Sequence, residues 1–285
     1  MFGPTGVGKT AVAVALAERL RERGEDPVAV SADAMQVYSG LEVLTGVASA
    51  QEQARLEHRL VSFLPVTSTF SAGQFAAQAH AEIDGLLAES RRPIVVGGTG
   101  LYLRAALAEL DLRPPVETSA LEARGAAALH AELEERAPHL AARLDPADPR
   151  RLARSLALLE QGIEYPPADG DLWTSHTRRP TRLVALTMER ETLNAAIDAR
   201  VDAMVAAGAV DEVRRAQAAG ASPTARQALG FAQLLEGDVE TMKQQTRRYA
   251  RRQLTWLRKL PDPLTIDVTG RSPQDVAAAI DSPAL

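Results

Sequence analysis

The sequence predicts an α/β fold in which a parallel β-sheet is flanked by helices. Three short apolar runs, at 27–30, 93–96 and 181–186, have the length and composition of buried strands. Segments with the apolar periodicity of helices lie between them, at 10–23 and 71–89. Strands that alternate with helices indicate parallel pairing, because the intervening helix returns the chain to the same edge of the sheet.

A change in composition divides the chain. Residues 116–161 are rich in Ala, Leu, Glu and Arg at helical spacing and show no strand pattern, and residues 162–180 have the composition of a loop. We therefore predict a core formed by residues 1–115 plus 181–285. A small all-helical insertion with its loop is predicted at 116–180.

The overall composition excludes several classes of protein. The chain has 285 residues, of which 46% are hydrophobic and 24% charged, as in an ordinary globular protein. It contains no Cys, which excludes a disulfide scaffold, a thiolate nucleophile and a Cys-ligated metal. No apolar run approaches the roughly 20 residues that cross a bilayer, and no signal peptide precedes the first motif. We expect a cytoplasmic monomer without a membrane partner.

Charge is unevenly distributed along the chain. The net charge of −5 argues against a surface that is basic throughout. Between Lys243 and Lys259, however, lie five arginines and no acidic residue. This stretch belongs to a segment, 190–260, that is predicted to be helical almost throughout, with breaks near 220–223 and at Gly237. Local basicity of this kind favours contact with phosphates.

A glycine-rich loop precedes the first predicted helix. It follows the P-loop pattern and consists of Gly3, Pro4, Thr5, Gly6, Val7, Gly8, Lys9 and Thr10. Glycines allow backbone N–H groups to surround phosphate oxygens, while the Lys side chain neutralises a phosphate and the Thr hydroxyl can hold Mg²⁺. The sheet is therefore predicted to be of the P-loop NTPase type. Because only Met1 and Phe2 precede the loop, either the first strand is very short or the start codon is placed too far downstream.

The motif leaves three activities open: a kinase, an NTPase and a transferase with a diphosphate leaving group. An NTPase usually places a carboxylate after a neighbouring strand to support Mg²⁺. The strand at 93–96 ends instead in Gly97-Gly-Thr-Gly100, which weakens the ATPase interpretation. Thr99 then either offers a hydroxyl to an anion or belongs to a plain turn.

Asp33 follows the strand at 27–30 and is expected at the carboxyl edge of the sheet, where ligands of α/β folds bind. A carboxylate there can bind Mg²⁺ or accept a proton from a substrate amine. Alternatively, Asp33 caps the next turn.

Several segments resemble the tRNA dimethylallyltransferases, which modify the adenosine beside the anticodon. In family order, these segments are Gly3-Pro-Thr-Gly-Val-Gly-Lys-Thr10, Asp33-Ala-Met-Gln-Val-Tyr38, Val96-Gly-Gly-Thr-Gly-Leu-Tyr102, Asp148-Pro-Arg-Arg-Leu-Ala-Arg154, Ile197-Asp-Ala-Arg-Val201, Gln227-Ala-Leu-Gly-Phe231 and Arg247-Arg-Tyr-Ala-Arg-Arg-Gln-Leu-Thr-Trp-Leu-Arg258. The resemblance extends over nearly the whole chain.

The resemblance implies a reaction and a set of roles. The donor is dimethylallyl diphosphate, whose diphosphate lies in the loop from Gly3 to Thr10 with Mg²⁺ held at Thr10. The acceptor is N6 of the adenosine 3′-adjacent to the anticodon, in tRNAs that read codons beginning with U. Asp33 matches the general base, Thr99 a hydroxyl on the diphosphate side, and Arg200 an arginine that reaches the diphosphate.

The resemblance also implies which residues contact the anticodon stem-loop of the tRNA, and it assigns the helical insertion to that contact. The residues are Asp33, Ala34, Met35, Gln36, Thr99, Arg150, Arg151, Leu152, Ala153, Arg154, Arg226, Gln227, Gly230, Arg251, Arg252 and Arg258.

The basic helix has two faces with different expected roles. Arg247, Arg251 and Arg258 are spaced so that one face carries a strip of guanidinium groups suited to an RNA backbone. Tyr249 and Trp256 are one heptad apart and either stack on bases or pack on the sheet; for Trp256 we expect burial.

Three alternatives remain open from the sequence. The first is a P-loop kinase of a small metabolite, which would bind ATP. The second is prenylation of free AMP or ATP, which would leave the basic helix without a use. The third is an RNA-binding protein without catalytic activity.

Overall fold

The computed structural model describes residues 1–165 and 174–282. The chain separates into two compact units, Met1–Ala108 with Trp173–Leu285, and Glu109–Leu172. The division differs from the predicted borders at 116 and 180. Residues 174–180 belong to the larger unit because Arg178 and Arg179 pair with Asp84 at 2.9 and 3.0 Å.

The larger unit contains all the strands that the structure describes. In chain order its elements are α1 (Lys9–Glu22), β1 (Pro27–Ser31), β2 (Tyr38–Ser39), α2 (Glu42–Thr45), α3 (Ala50–Arg55), β3 (His58–Arg59), β4 (Leu64–Pro65), α4 (Ala72–Ala88), β5 (Arg92–Val96) and α5 (Gly100–Leu107). After the smaller unit follow β6 (Val184–Thr187), α10 (Arg190–Ala206), α11 (Ala209–Ala218), a 3₁₀ turn (Ala225–Gln227), α12 (Phe231–Glu236), α13 (Val239–Leu257), β7 (Leu264–Asp267) and α14 (Pro273–Asp281).

The smaller unit consists of four helices in its described part. They are α6 (Ser119–Glu122), α7 (Ala126–Arg136), α8 (Pro138–Ala141) and α9 (Pro149–Leu159). Helix α9 begins with Asp148 at its N-cap, whose side chain accepts from the Arg151 N–H. Leucines of α7, α8 and α9 form a separate small core, so this unit has its own apolar interior.

Strand pairing is parallel throughout. Strand β1 lies between β3 and β5, and β6 pairs with β7. The predicted strands correspond to β1, β5 and β6, so the α/β architecture with parallel pairing is confirmed. Strand β7 and helix α14 were not predicted. Their sequence, after the basic helix, is too short and mixed to show a clear period.

Phe2 joins the sheet β3-β1-β5 to the strand pair β6-β7. It forms parallel bridges with Gly97, just after β5, and with Ala185 in β6. Its N–H donates to the Val184 carbonyl at 2.8 Å, and its carbonyl accepts from the Leu186 N–H at 2.8 Å. The first strand is thus reduced to this short pairing. It is sufficient to start the glycine-rich loop between the carboxyl ends of β5 and β6.

Helix α1 fixes the other end of the loop. Its apolar side chains, including Val12, Leu16 and Leu20, are buried in the main core together with Val276 and Ile280 of α14. Each fully buried aliphatic side chain of this kind contributes about 1.5–3 kcal/mol. The loop is therefore held between a buried strand position and a buried helix.

In the parts of the chain that the structure describes, every helix is too short or too polar to cross a bilayer.

Candidate functional site

A cavity of about 650 Å³ opens at the carboxyl edge of the sheet. Its lining unites segments that are far apart in the chain: the glycine-rich loop, Asp33 after β1, Thr99 after β5, Arg200 on α10 and Gln253 on α13. These residues meet because parallel strands all end at the same edge and α10 and α13 cover it. The cavity brings together Thr10, Asp33, Thr99 and Arg200, the four residues assigned to catalysis from the sequence.

The glycine-rich loop has the backbone of an anion nest. Gly6 and Gly8 have φ values of 84° and 87°, in the left-handed region that other residues rarely adopt. Gly8 is also the N-cap of α1, a helix of 14 residues whose first N–H groups have no partner within the helix. Successive amides in such a turn, placed at a helix N-terminus, form a concave positive site.

Lys9 lies over this loop. Its Nζ donates to the carbonyls of Gly3 and Pro4, both at 2.9 Å. Burial is the main cause that lowers the pKa of Lys9 to about 8; the Asp33 carboxylate raises it and the Arg200 guanidinium lowers it. The three charged groups are therefore close enough to act on one another.

Arg200 reaches the cavity from α10 and lies close to Gly46, at the end of α2. Gly46 has a φ of 64°, and a Cβ at this position would overlap the Arg200 guanidinium. Burial lowers the pKa of Arg200, while the charges of Asp33 and Glu52 raise it. Two half-buried cations, Lys9 and Arg200, thus lie near Asp33, an arrangement that an additional anion would stabilise. Gly46 was not predicted, because a clash with a residue so distant in sequence leaves no local signal.

The Asp33 side chain is held by its own turn. Its Oδ1 accepts from the Met35 N–H at 2.9 Å, so the turn cap considered from the sequence is present. Among the described residues, the second oxygen has no hydrogen-bond partner, and Asp33 lines the cavity. The cap orients the carboxylate and leaves one oxygen for a ligand, so the two interpretations are compatible.

Thr99 and Tyr249 face each other in the cavity. Thr99 stands at the N-cap of α5, yet its hydroxyl makes no capping bond and lies 3.4 Å from the Tyr249 hydroxyl. Burial, followed by the Asp33 charge, raises the pKa of Tyr249 to about 12, so this phenol stays protonated at neutral pH. Tyr249 is therefore a residue of the site, whereas the sequence left it between stacking and packing.

Gln36, Arg226 and Gly230 have contacts inside the protein. The Gln36 amide accepts from Ser31 Oγ at 2.8 Å and donates to the Gly46 carbonyl at 3.0 Å. Arg226 donates from Nε to a backbone carbonyl at 2.8 Å. Gly230 is buried at the start of α12 and has a φ of 94°. This left-handed backbone accounts for the glycine, so an RNA contact is not needed to explain it.

The remaining residues of these two segments line the cavity. They are Ala34, Met35 and Gln227, of which Gln227 is exposed.

Helix α9 of the smaller unit corrects part of the predicted RNA contact. Leu152 and Ala153 are fully buried in the small core, so their side chains are not available to an RNA. A helix with one face in a core can offer only the other face. Arg150 and Arg151 lie on that face, with 67% and 61% of their side chains exposed.

Arg154, on the same helix, is engaged within the smaller unit. Its Nη2 donates to the carbonyls of Arg113 and Pro114 at 2.8 and 3.0 Å, and its guanidinium lies 5.2 Å from the Tyr165 ring centroid. This arginine supports the chain that enters the unit.

The basic helix, α13, also differs from the prediction at one position. Arg247 pairs with Asp198 of α10 and is not part of a free strip. Arg251, Arg252 and Arg258 are exposed. The guanidinium of Arg252 lies 5.6 Å from the Tyr249 ring centroid, within range of a cation–π contact.

Gln253 is a site residue that the sequence did not single out. It is 4% exposed, and its side-chain amide contacts two glycine-rich loops at once. Oε1 accepts from the Thr5 N–H at 2.8 Å, and Nε2 donates to the Gly98 carbonyl at 2.7 Å. Its position four residues after Tyr249, on the same helical face, was the available signal.

Comparison with known proteins identifies relatives over nearly the full length. A family model described as IPP transferase matches residues 36–260. The tRNA dimethylallyltransferase of Kineococcus radiotolerans is 41% identical, over 92% of this chain and 87% of that protein. The one from Thermobifida fusca is 40% identical, over 92% and 86%.

Solved structures show the same fold. The full-length tRNA isopentenylpyrophosphate transferase of Bacillus halodurans superposes with a TM-score of 0.71 at 30% identity, over 98% of this chain and 92% of that chain. A eukaryotic dimethylallyltransferase acting on tRNA shares the fold, with a TM-score of 0.72 at 23% identity. From the extent of these matches, the chain belongs to the IPP transferase family.

Proposed function

We propose that this protein transfers the dimethylallyl group of dimethylallyl diphosphate to N6 of an adenosine in tRNA. The adenosine is the one 3′-adjacent to the anticodon, in tRNAs that read codons beginning with U. The names of the relatives at about 40% identity support this activity and give no support to the kinase alternative. The observation that carries the proposal is the cavity that holds an anion nest, two half-buried cations and one carboxylate.

The leaving group binds in a P-loop. The diphosphate lies against the amides of the loop Gly3–Thr10, with Lys9 and Arg200 neutralising its charge and the Thr99 hydroxyl at its side. Both cations are half-buried, so the attraction to a phosphate oxygen is stronger than it would be in water. The same contacts stabilise the diphosphate as it departs with the electron pair of the broken bond.

The site fits Mg²⁺ as a partner of the diphosphate. Over residues 1–165 and 174–282, no group of three or more His, Cys, Asp or Glu side chains is placed to hold a metal ion. Mg²⁺ commonly takes one or two protein ligands and completes its shell with phosphate oxygens and water. The Thr10 hydroxyl, in the cavity beside Lys9, would be such a ligand. When bound, the ion would neutralise diphosphate charge.

Asp33 acts as the general base. The exocyclic N6 of adenine is a poor nucleophile, because its lone pair is delocalised into the ring. N6 attacks the first carbon of the dimethylallyl group, the bond from this carbon to the diphosphate oxygen breaks, and N6 gives a proton to the free oxygen of Asp33. The Met35 N–H holds the other oxygen and keeps the carboxylate in place.

The tRNA is bound by exposed arginines. Arg251 and Arg252 on α13, Arg258 at the C-cap of that helix, and Arg150 and Arg151 on α9 contact the phosphate backbone of the anticodon stem-loop. The helical insertion contributes to tRNA binding through α9. The cation–π pair of Arg252 with Tyr249 links this surface to the cavity, where Tyr249 lies beside Thr99.

Removal of the carboxylate should separate chemistry from binding. Asp33→Ala is expected to lower single-turnover prenyl transfer by about 10²–10⁴-fold, because N6 then loses its proton acceptor. The affinity for tRNA should stay nearly unchanged. The assay is mass analysis of unmodified tRNA incubated with dimethylallyl diphosphate and Mg²⁺.

Asp211→Ala is the matched control, since Asp211 is an exposed aspartate outside the cavity lining. The assignment of Asp33 fails if Asp33→Ala retains the wild-type rate. The proposed function itself fails if the wild-type protein adds no mass to tRNA while an active relative does.

The Lys9 amine should give diphosphate binding a distinct pH dependence. Its pKa in the free protein is lowered to about 8, and a bound diphosphate favours the charged form. The contribution of Lys9 to affinity is therefore complete below pH 8 and declines as the pH rises above 8. Calorimetry with inorganic diphosphate should show proton uptake near this pH.

Lys9→Met is the reference, because it lacks the titrating group. The affinity difference between wild type and Lys9→Met should be largest at neutral pH and shrink above pH 8. A difference that stays constant up to about pH 10, near the ordinary pKa of a lysine, would contradict the lowered pKa.

The free arginines of α13 should differ from the paired one. Arg258→Gln is expected to weaken tRNA binding. The slope of the logarithm of the tRNA association constant against the logarithm of the salt concentration should fall in magnitude by about 1, because one phosphate contact is lost. Arg247→Gln removes the same charge from the same helix, but Arg247 already pairs with Asp198. Its effect on the slope should be much smaller. Equal slopes for the two variants would argue against this assignment.

A further inference from the structure

Gln253 joins the two loops that surround the proposed diphosphate site. Its side-chain amide accepts from the Thr5 N–H in the P-loop at 2.8 Å and donates to the Gly98 carbonyl after β5 at 2.7 Å. Thr5 and Gly98 lie on neighbouring strand connections, and neither bond is part of a helix or a sheet. The amide is buried, so water cannot replace it without opening the site.

We propose that Gln253 is a positioning residue that sets the distance between the P-loop and the loop Gly97–Gly100, and so shapes the diphosphate site. This inference rests on the proposed function. Gln253 does not contact the reacting atoms; it acts through the Thr5 amide and through the backbone that carries Thr99.

The chemistry of a primary amide suits this position. One group must accept from an N–H and another must donate to a carbonyl, and a glutamine side chain does both while remaining neutral. A carboxylate would supply two acceptors and place a negative charge beside the incoming diphosphate. A methionine of similar length would leave both the Thr5 N–H and the Gly98 carbonyl unsatisfied.

The partner loop is built for the close approach of α13. A Cβ at Gly98 would overlap Nε2 of Gln253, and a Cβ at Gly100 would overlap the Trp256 ring. Tyr249, Gln253 and Trp256 are spaced at i, i+4 and i+7, so they form one helical face. That face packs on three consecutive residues, 98–100. Trp256 is half-buried there, in accord with the expected burial rather than with free stacking.

The hydrogen bond from Thr5 to Gln253 limits which amides of the loop can bind a diphosphate. The Thr5 N–H is already committed to Gln253, so the diphosphate must bind the amides further along the loop, toward Lys9 and Thr10. The exposed arginines Arg251 and Arg252 immediately precede Gln253 in the chain. The residue that fixes the diphosphate loop is therefore adjacent to those proposed to bind RNA.

The decisive variant is Gln253→Met, with Gln244→Met as the matched control on the exposed side of the same helix. Two quantities are measured in protein labelled with ¹⁵N-threonine: the exchange rate of the Thr5 amide, and the dissociation constant for inorganic diphosphate with Mg²⁺. In Gln253→Met, Thr5 exchange should accelerate, and the dissociation constant should rise about 10-fold, as expected for two buried groups left unpaired. In Gln244→Met both should match wild type.

Steady-state kinetics add a readout that a general loss of stability would not produce. Gln253→Met should raise the KM for dimethylallyl diphosphate by about 10-fold and leave the KM for tRNA within about two-fold. If Gln253→Met does not fold, Gly98→Ala replaces it. That variant keeps the glutamine but displaces its amide from the carbonyl, and the same loss of diphosphate affinity is expected.

The outcomes distinguish this inference from the proposed function. The positioning role would be overturned if the Gln253→Met variant folds and keeps both the wild-type Thr5 exchange rate and the wild-type affinity for diphosphate. If wild type itself binds no diphosphate, the proposed function fails. The Thr5 exchange comparison still decides whether Gln253 holds the loop.

Discussion

Parallel backbone pairing places the glycine-rich loop, Asp33 and Thr99 at one edge of the sheet. The pairing of β1 with β5 brings Asp33 beside the loop Gly97–Gly100, and the bridges of Phe2 bring the glycine-rich loop between β5 and β6. The loop after Phe2, Asp33 and Thr99 each follow a hydrogen-bonded strand position, whereas Arg200 and Gln253 reach the cavity from helices α10 and α13. The geometry of the site therefore depends on strand register and on how these two helices cover the edge.

Electrostatics give this edge its preference for anions. Lys9 and Arg200 are half-buried in the cavity, and burial lowers the pKa of both. The Asp33 carboxylate offsets part of that penalty. The proposed diphosphate would offset the remainder. In the proposed transfer, binding energy used in this way would stabilise the leaving group.

Much of this arrangement was predictable from the sequence, and the exceptions share a physical cause. The glycine-rich loop, Asp33 and Thr99 follow strands or open a helix, so local patterns place them at one edge. Gly46 depends on a contact with a residue far away in the chain, which leaves no local signal. Helical spacing places Gln253 on the face of Tyr249, but it does not reveal its distant partners Thr5 and Gly98.

Helices are a second source of error, because spacing alone does not say which face is buried. Leu152 and Ala153 lie within a basic motif, yet packing in a small core removes them from the surface. Arg247 is likewise withdrawn from the arginine strip by an ion pair with α10. The α/β fold class and the meeting of the strand-end residues at one edge were thus predictable, whereas the exposure of individual helical side chains was not.

The account is tested most directly by a crystal structure of the protein with dimethylallyl thiodiphosphate, Mg²⁺ and an unmodified anticodon stem-loop. We expect the thiodiphosphate within hydrogen-bond distance of the loop amides, Lys9 and Arg200, and the adenine N6 next to the free oxygen of Asp33. A diphosphate bound elsewhere, or an Asp33 carboxylate turned away from the acceptor nitrogen, would contradict the account.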